Sequence, residues 1–208
     1  MKIDRVYVNT YRYDHVHLRI CIASIRYWYP DIPVFLIKDE ASGKFDTSAL
    51  EKQWKLNVLQ TEFSEYGWGF GKLEPLFLPE DHRFLVLDSD TVITGPVLDL
   101  VKDIDADFVA DEEVQTDAEM RRLYYDVDFV KQVFPGFVYP GYTFNSGQWF
   151  GITGRISKDD LAPLVNWMPL PVLKYPESFM PGDQGILNLT IHHKEIHVMA
   201  KGWWSGDR

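Results

Sequence analysis

"FLVLDSDTVI", residues 84–93, sets four apolar residues directly against two aspartates separated by one serine. An unbroken apolar run of this kind reads as a strand covered on both faces, as in the middle of a parallel sheet. Residues two apart on an extended chain project to one side, so Asp88 and Asp90 can face a common point while Ser89 turns away. Two carboxylates held that close repel unless a proton or a cation lies between them. A solvated turn and a divalent-metal site both fit "DSD" alone. Its place after "FLVL" favours the metal, because ligands in open α/β sheets sit beyond the carboxyl ends of the strands.

Outward from that strand, β and α signals alternate along the chain. Strands are expected at Ile3–Val8, in "PVFLIKDE" (33–40), "LNVLQT" (56–61), "RFLVLDSD" (83–90), "ADFVADEE" (106–113), "FNSGQWFGITG" (144–154) and "EIHVMA" (195–200). Between them, "HVHLRICIASIRYWY" (15–29) repeats apolar residues at 18, 22, 25 and 28–29, which is helical spacing stopped by Pro30. "TSALEKQW" (47–54) predicts a short helix capped by Thr47 or Asp46. "GWGFGKLEPLFLPED" (67–81) predicts a short helix ended by Pro79, and "TGPVLDLV" (94–101) a turn and helical stretch. Further helices are expected over 117–134, 158–168 and 183–193, with the proline-rich 168–182 irregular. This alternation means an α/β layered fold, a central and mostly parallel sheet flanked by helices.

The composition bounds the function. At 208 residues the chain reads as one domain, 1–208, and its 46% hydrophobic and 15% aromatic content excludes a disordered segment. Thirty-one acidic against 21 basic residues give a net charge of −10 and a pI near 5.0, unlike a protein built to grip a nucleic-acid backbone. An acidic chain that holds an anionic diphosphate needs a metal or a few local cations. The single cysteine, Cys21, lies in an apolar helix and reads as core, which excludes a disulfide framework and a cysteine zinc site. Asp4 and Arg5 stand where a signal peptide would be apolar, and no run approaches 18 uncharged apolar residues. A cytoplasmic protein is expected, with peripheral membrane contact still open.

Three more stretches carry polar groups at element ends. In "FNSGQWFGITG", Asn145-Ser146-Gly147 reads as a turn or as a hydrogen-bonding lip for sugar hydroxyls. In "PGDQGILN", Asp183 reads as a helix cap, or, with Gln184, as a polar pair facing an electron-poor sugar carbon. "GWGFGKLEPL" has alternating glycines whose spacing matches neither the P-loop nor the dinucleotide fingerprint, but Lys72 after them is a cation able to reach a diphosphate.

Taken in order, Lys72, "LDSDTVI", "FNSGQWFG" and "DQGILN" resemble glycosyltransferase family 8 and its glycogenin-like relatives over roughly residues 3–190. The resemblance implies a Rossmann-like GT-A fold and a retaining transferase that uses a nucleotide-diphosphate sugar, UDP-linked, with Mn²⁺ (or Mg²⁺). It implies that Asp88 and Asp90 hold the metal and that Lys72 neutralises the leaving diphosphate. Asn145 and Asp183 would contact the sugar, with Gln184 near the anomeric carbon and Asp183 as nucleophile or electrostatic partner. Ser89 and Ser146 fall in the donor-binding set. "VNTYRYD" matches the region where the family binds its base, which makes Thr10 and Tyr11 the nucleotide contacts. The acceptor is a carbohydrate or glycoconjugate, shaped by the loops at 112–117, 135–143 and 169–182.

Departures from the family pattern set the rivals. The family takes a third metal ligand from a histidine in a C-terminal "HxxG" segment followed by "KPW", and this chain ends at "MAKGWWSGDR". Three readings stand open: a chain lacking that segment, an incomplete site, or water in the histidine's place. His192 and His193 are adjacent and are expected to point apart on a helix, and His197 falls in an expected strand. One alternative is a non-catalytic sugar or nucleotide-sugar binding domain. The other is a sugar nucleotidyltransferase, which would need a glycine-rich loop where this chain has "NTYRYDHVH".

Overall fold

The computed structural model describes residues 2–200 except Trp68, Leu170, Met180, Pro181, Glu195 and His197. Seven strands form one sheet in the order β3-β2-β1-β4-β6-β5-β9: β1 (Arg5–Tyr11), β2 (Val34–Asp39), β3 (Asn57–Val58), β4 (Arg83–Asp88), β5 (Phe108–Glu113), β6 (Thr143–Ile152) and β9 (Val198–Ala200). Pairings β1–β2, β1–β4, β2–β3 and β5–β9 are parallel, and β6 runs antiparallel to both of its neighbours. The expected α/β, mostly parallel sheet is therefore the one observed. A two-stranded antiparallel ribbon, β7 (Val165–Asn166) with β8 (Val172–Leu173), stands apart from it.

Alternation along β4 shows why its run is continuously apolar. Phe84 and Val86 belong to one buried cluster, and Leu85 and Leu87 to a second cluster on the other face. The second is closed by helix α1 (His15–Trp28), which buries Leu18, Cys21, Ile22 and Ile25 at helical spacing. Helices α2 (Ser48–Trp54) and α3 (Val97–Val101) add Leu50, Leu98 and Val101 to it. The first face is covered by a 3-10 helix at Phe70–Phe77, by α4 (Asp117–Leu123), α5 (Val127–Val133), α6 (Lys158–Leu161) and α7 (Asp183–His193). It holds most of the aromatic rings, with Trp149 stacked on Phe108 and edge-on to Phe84.

Several expectations need correction. The helix expected over 117–134 is two helices. Tyr124 and Tyr125 are wholly buried at the break, the Asp126 amide donates to Ser178 O, and the Asp126 carboxylate caps α5 through the amides of Asp128 and Phe129. The helix expected over 158–168 ends at Leu161, because Leu164 O takes the amide of Lys174 and the chain enters the β7–β8 ribbon. "LNVLQT" pairs only over Asn57–Val58, and the helix in 67–81 is of the tight 3-10 kind, with Pro75 inside it. The first strand runs three residues past Val8, to Tyr11. Asn145-Ser146-Gly147 is not a turn: all three lie inside β6.

That last difference positions the site. A strand antiparallel to its neighbours begins at the edge where they end. β6 therefore brings Asn145, Ser146 and Gly147 to the carboxyl edge, beside Asp88.

Candidate active site

Lys72 is the floor of the site. The 3-10 helix carries it inward, its side chain is only 5% exposed, and its ammonium lies 3.1 Å from Asp88 Oδ1 and 3.3 Å from Asp183 Oδ2. It also donates to Ser146 O at 3.1 Å. Burial alone would discharge such a lysine, but the two carboxylates outweigh it and its pKa is raised. Gly69 leaves room for this arrangement. It sits at φ +73, and a Cβ there would come within 2.7 Å of Lys72 Cε and 2.9 Å of Asp183 Oδ1.

Asp183 stands at the first position of α7, after Gly182, where the helix N-terminus favours a negative charge. It pairs with Lys72 and is not the cap of its helix. Burial pushes its carboxyl up to about 6, against the pull of Lys72, so it is ionised near neutrality. Gln184 follows it, with Oε1 near Ser146 N at 3.4 Å and Nε2 donating to Leu123 O at 3.1 Å. Ser146 is buried and Asn145 exposed, and Asn145 Oδ1 accepts from the Gly147 amide. Gly147 lets Asp88 approach: a Cβ on it would meet Asp88 Oδ2 at 3.0 Å.

Asp88, one-third exposed, ends β4 on the same face as Phe84 and Val86. Desolvation raises its pKa and the Asp90 charge adds to this, while Lys72 and a hydrogen bond from Asn9 oppose it. Ser89 points to the other face, as expected, and its hydroxyl donates to Asp14 Oδ2 at 2.5 Å. Asp90 is exposed. One ammonium thus pairs with two carboxylates, Asp88 and Asp183, and the Asp90 charge adds to that of Asp88. Asp90 lies past the end of β4, in the turn closed by the Thr91 amide on Asp88 O and not on the extended strand expected, and Asp88 and Asp90 are hard oxygen donors open to solvent. That donor set and its uncompensated charge fit a divalent ion such as Mn²⁺ or Mg²⁺. Among the described residues no third His, Cys, Asp or Glu joins them. His192 is turned into a ring cluster with Tyr139, Tyr142 and Phe144, His193 lies against Phe134, and His197 is outside the described residues.

A cavity of about 540 Å³ opens beside Asp88 and Lys72, over the ends of β1 and β2, lined by Asn9, Tyr11, Asp39, Ser42, Gly67 and Gly69. Its size is that of a small-molecule site. Tyr11 lines it, whereas Thr10 alternates to the α1 face, buried, with its hydroxyl unpartnered. Asn9 and Asp39 were not singled out by the sequence reasoning. Asp39 accepts from the amides of Ala41 and Gly69, tying the end of β2 to the glycine loop. Asn9 is brought to Asp88 by strand register, Asn9 opposite Asp88, which no local motif announces. A second cavity of about 550 Å³ lies between α4 and α5, beside Met120 and Arg121, and contains none of these residues.

No protein-family model matches the chain, and no curated protein is significantly similar to it. Solved structures do match. The apo-form glycosyltransferase GlyE of Streptococcus pneumoniae TIGR4 superposes with a TM-score of 0.55 at 16% identity, covering 96% of this chain and 45% of that one. The galactosyltransferase LgtC, in complex with donor and acceptor sugar analogs, gives 0.58 at 14%, over 94% of this chain and 72% of that one. The bifunctional glycosyltransferase WbbM gives 0.61 at 11%, over 96% of this chain and 38% of that one. The chain thus spans less than half the length of GlyE and of WbbM. Its fold is the GT-A fold of these glycosyltransferases.

Proposed function

We propose that this chain is a family-8-like, metal-dependent glycosyltransferase that moves a hexose from a nucleotide-diphosphate sugar, UDP-linked, to a carbohydrate or glycoconjugate acceptor with retention. The observation that carries the reading is the convergence of Lys72, Asp88, Ser146, Asp183 and Gln184, from four separate elements, at the mouth of a nucleotide-sized cavity.

In this reading the cavity takes the nucleoside against Asn9 and Tyr11, while Thr10 and Ser89 are buried toward α1, away from its lining. Asp88 and Asp90 would hold Mn²⁺ or Mg²⁺, which when bound supplies charge to stabilise the departing diphosphate. Lys72 adds a fixed positive charge beneath it and holds both carboxylates in place. Asn145 and Ser146 orient the sugar. The buried, ionised Asp183 faces the anomeric carbon as nucleophile or as electrostatic partner of an oxocarbenium-like state, with Gln184 beside it.

The test is release of labelled hexose from a panel of UDP- and GDP-hexoses with MnCl₂, without acceptor and with simple glycosides. Release that depends on the metal and falls at least about 100-fold in Asp88→Ala is expected. Release no faster than in Asp88→Ala, for every donor, overturns the proposal.

A further inference from the structure

β4 pairs with β6 only as far as Leu87 opposite Gln148. Phe144 lies four residues beyond that point, yet its backbone is satisfied. Its N–H donates to Asn188 Oδ1 and its C=O accepts from Asn188 Nδ2, each at 2.9 Å. A carboxamide offers the same donor and acceptor as a peptide group, so Asn188 stands in for the missing strand neighbour. The same Nδ2 also donates to Gln184 O at 2.9 Å, one turn back on α7. Asn188 is wholly buried, so none of these bonds competes with water.

What hangs from each end gives the contact its meaning. Phe144 leads directly into Asn145 and Ser146, and Gln184 O belongs to the residue after Asp183. The direct contacts between these two groups are long, with Ser146 N and Oγ at 3.4 and 3.5 Å from Gln184 Oε1. The short bonds of Asn188 therefore set the spacing between β6 and α7. We propose that Asn188 is a positioning residue of the transfer site: without touching substrate, it fixes Ser146 against Gln184, and so fixes Lys72 between Asp88 and Asp183. This rests on the glycosyltransferase reading above.

Asn188→Asp keeps the shape but points an oxygen at two carbonyls. The nucleoside end of the cavity is built from β1, β2 and the glycine loop, none of which bonds to Asn188, and only its other end is lined by Lys72 and Asp88. Below the melting temperature, the variant is expected to lose at least about tenfold in kcat for hexose release, while KM for the nucleotide sugar stays within about threefold. Hydrogen–deuterium exchange should quicken over 143–148 and 183–186 and stay unchanged over 5–11. An unchanged kcat despite faster exchange makes Asn188 scaffold only, and a uniform rise in exchange makes it a general stability residue; either overturns the inference. Should Asn188→Asp not fold, exchange in the wild-type chain decides. Phe144 N–H must then be protected like the amides of α7, and exchange as fast as a solvent-facing amide refutes the contact. Absence of hexose release by the wild type would sink the glycosyltransferase reading, while the exchange pattern would still report whether Asn188 sets this spacing.

Discussion

Lys72 is a buried ammonium paired with the buried Asp183 and the one-third-exposed Asp88, and removing it leaves the Asp183 carboxylate unpaired in a poorly solvated space. Breaking such a group costs about 3–5 kcal/mol, more than the pair itself contributes to stability. Lys72→Met is therefore expected to lower unfolding free energy by that order in urea denaturation at pH 7, and to abolish hexose release. A loss under about 1 kcal/mol would mean that the carboxylates relax to solvent. Two residues on, Glu74 is buried with Oε1 accepting from the amides of Glu62 and Phe63, and burial pushes its carboxyl up to about 7. Its native pKa lies above the unfolded one of 4.5, so the native state binds the proton more tightly between the two. Its contribution is full below pH ~4.5 and lost as pH rises through ~7. Glu74→Gln should flatten that fall, and a difference of up to about 3 kcal/mol between variant and wild type should open from pH 4 to pH 8 in thermal melts. Equal pH slopes would refute the assignment. The chemical types of the site residues were legible in "GKLEPL", "LDSD" and "DQG". That Lys72 is buried was not, because a lysine directly after the glycines, on a tight helix, carries no periodic signal. Asn9 was hidden for another reason, since only the pairing of β1 with β4 brings it to Asp88.

At the scale of elements, one glycine sets how closely α4 and α7 meet. A Cβ on Gly185 would lie 2.2 Å from Tyr124 O, a backbone atom that cannot rotate away. Gly185→Ala must push the end of α4 off α7. Overpacking of this kind costs about 1–3 kcal/mol, and here it also strains the bond from Gln184 to Leu123 O. The expected outcome is a lower urea midpoint together with reduced hexose release, whereas a stable, fully active variant would show that α4 shifts freely. α1 was legible because its buried stripe recurs at helical spacing over 14 residues. The break between α4 and α5 was not, because it is imposed by Tyr125 pairing with Phe179, more than 50 positions away. Asn-Ser-Gly is turn-like by composition, but the neighbouring ladder and the Asn188 carboxamide keep it extended.

For the molecule as a whole, alternating elements made the layered sheet legible, while strand order did not follow from any local pattern. The insertion of β6 between β4 and β5, against their direction, is what turns separate motifs into one site. Among the described residues no helix is long and apolar enough to cross a membrane. The net charge of −10 bears on binding at this scale, because the surface repels a nucleotide diphosphate and the site itself holds more carboxylates than ammonium groups. Nucleotide without a divalent ion should therefore bind poorly. With Mn²⁺ present, a nucleotide at 100 times its Kd stabilises the native state by about 2.7 kcal/mol. For a chain of this length that corresponds to a rise in Tm of roughly 5–11 °C. UDP with Mn²⁺ is expected to give such a shift, UDP with EDTA to give none, and Asp88→Ala to remove the shift while keeping its own melting transition. A shift that is the same with and without metal would place the diphosphate on Lys72 rather than on an ion at Asp88 and Asp90. No shift with any nucleotide at any Mn²⁺ concentration would leave the cavity over β1 and β2 without its proposed occupant.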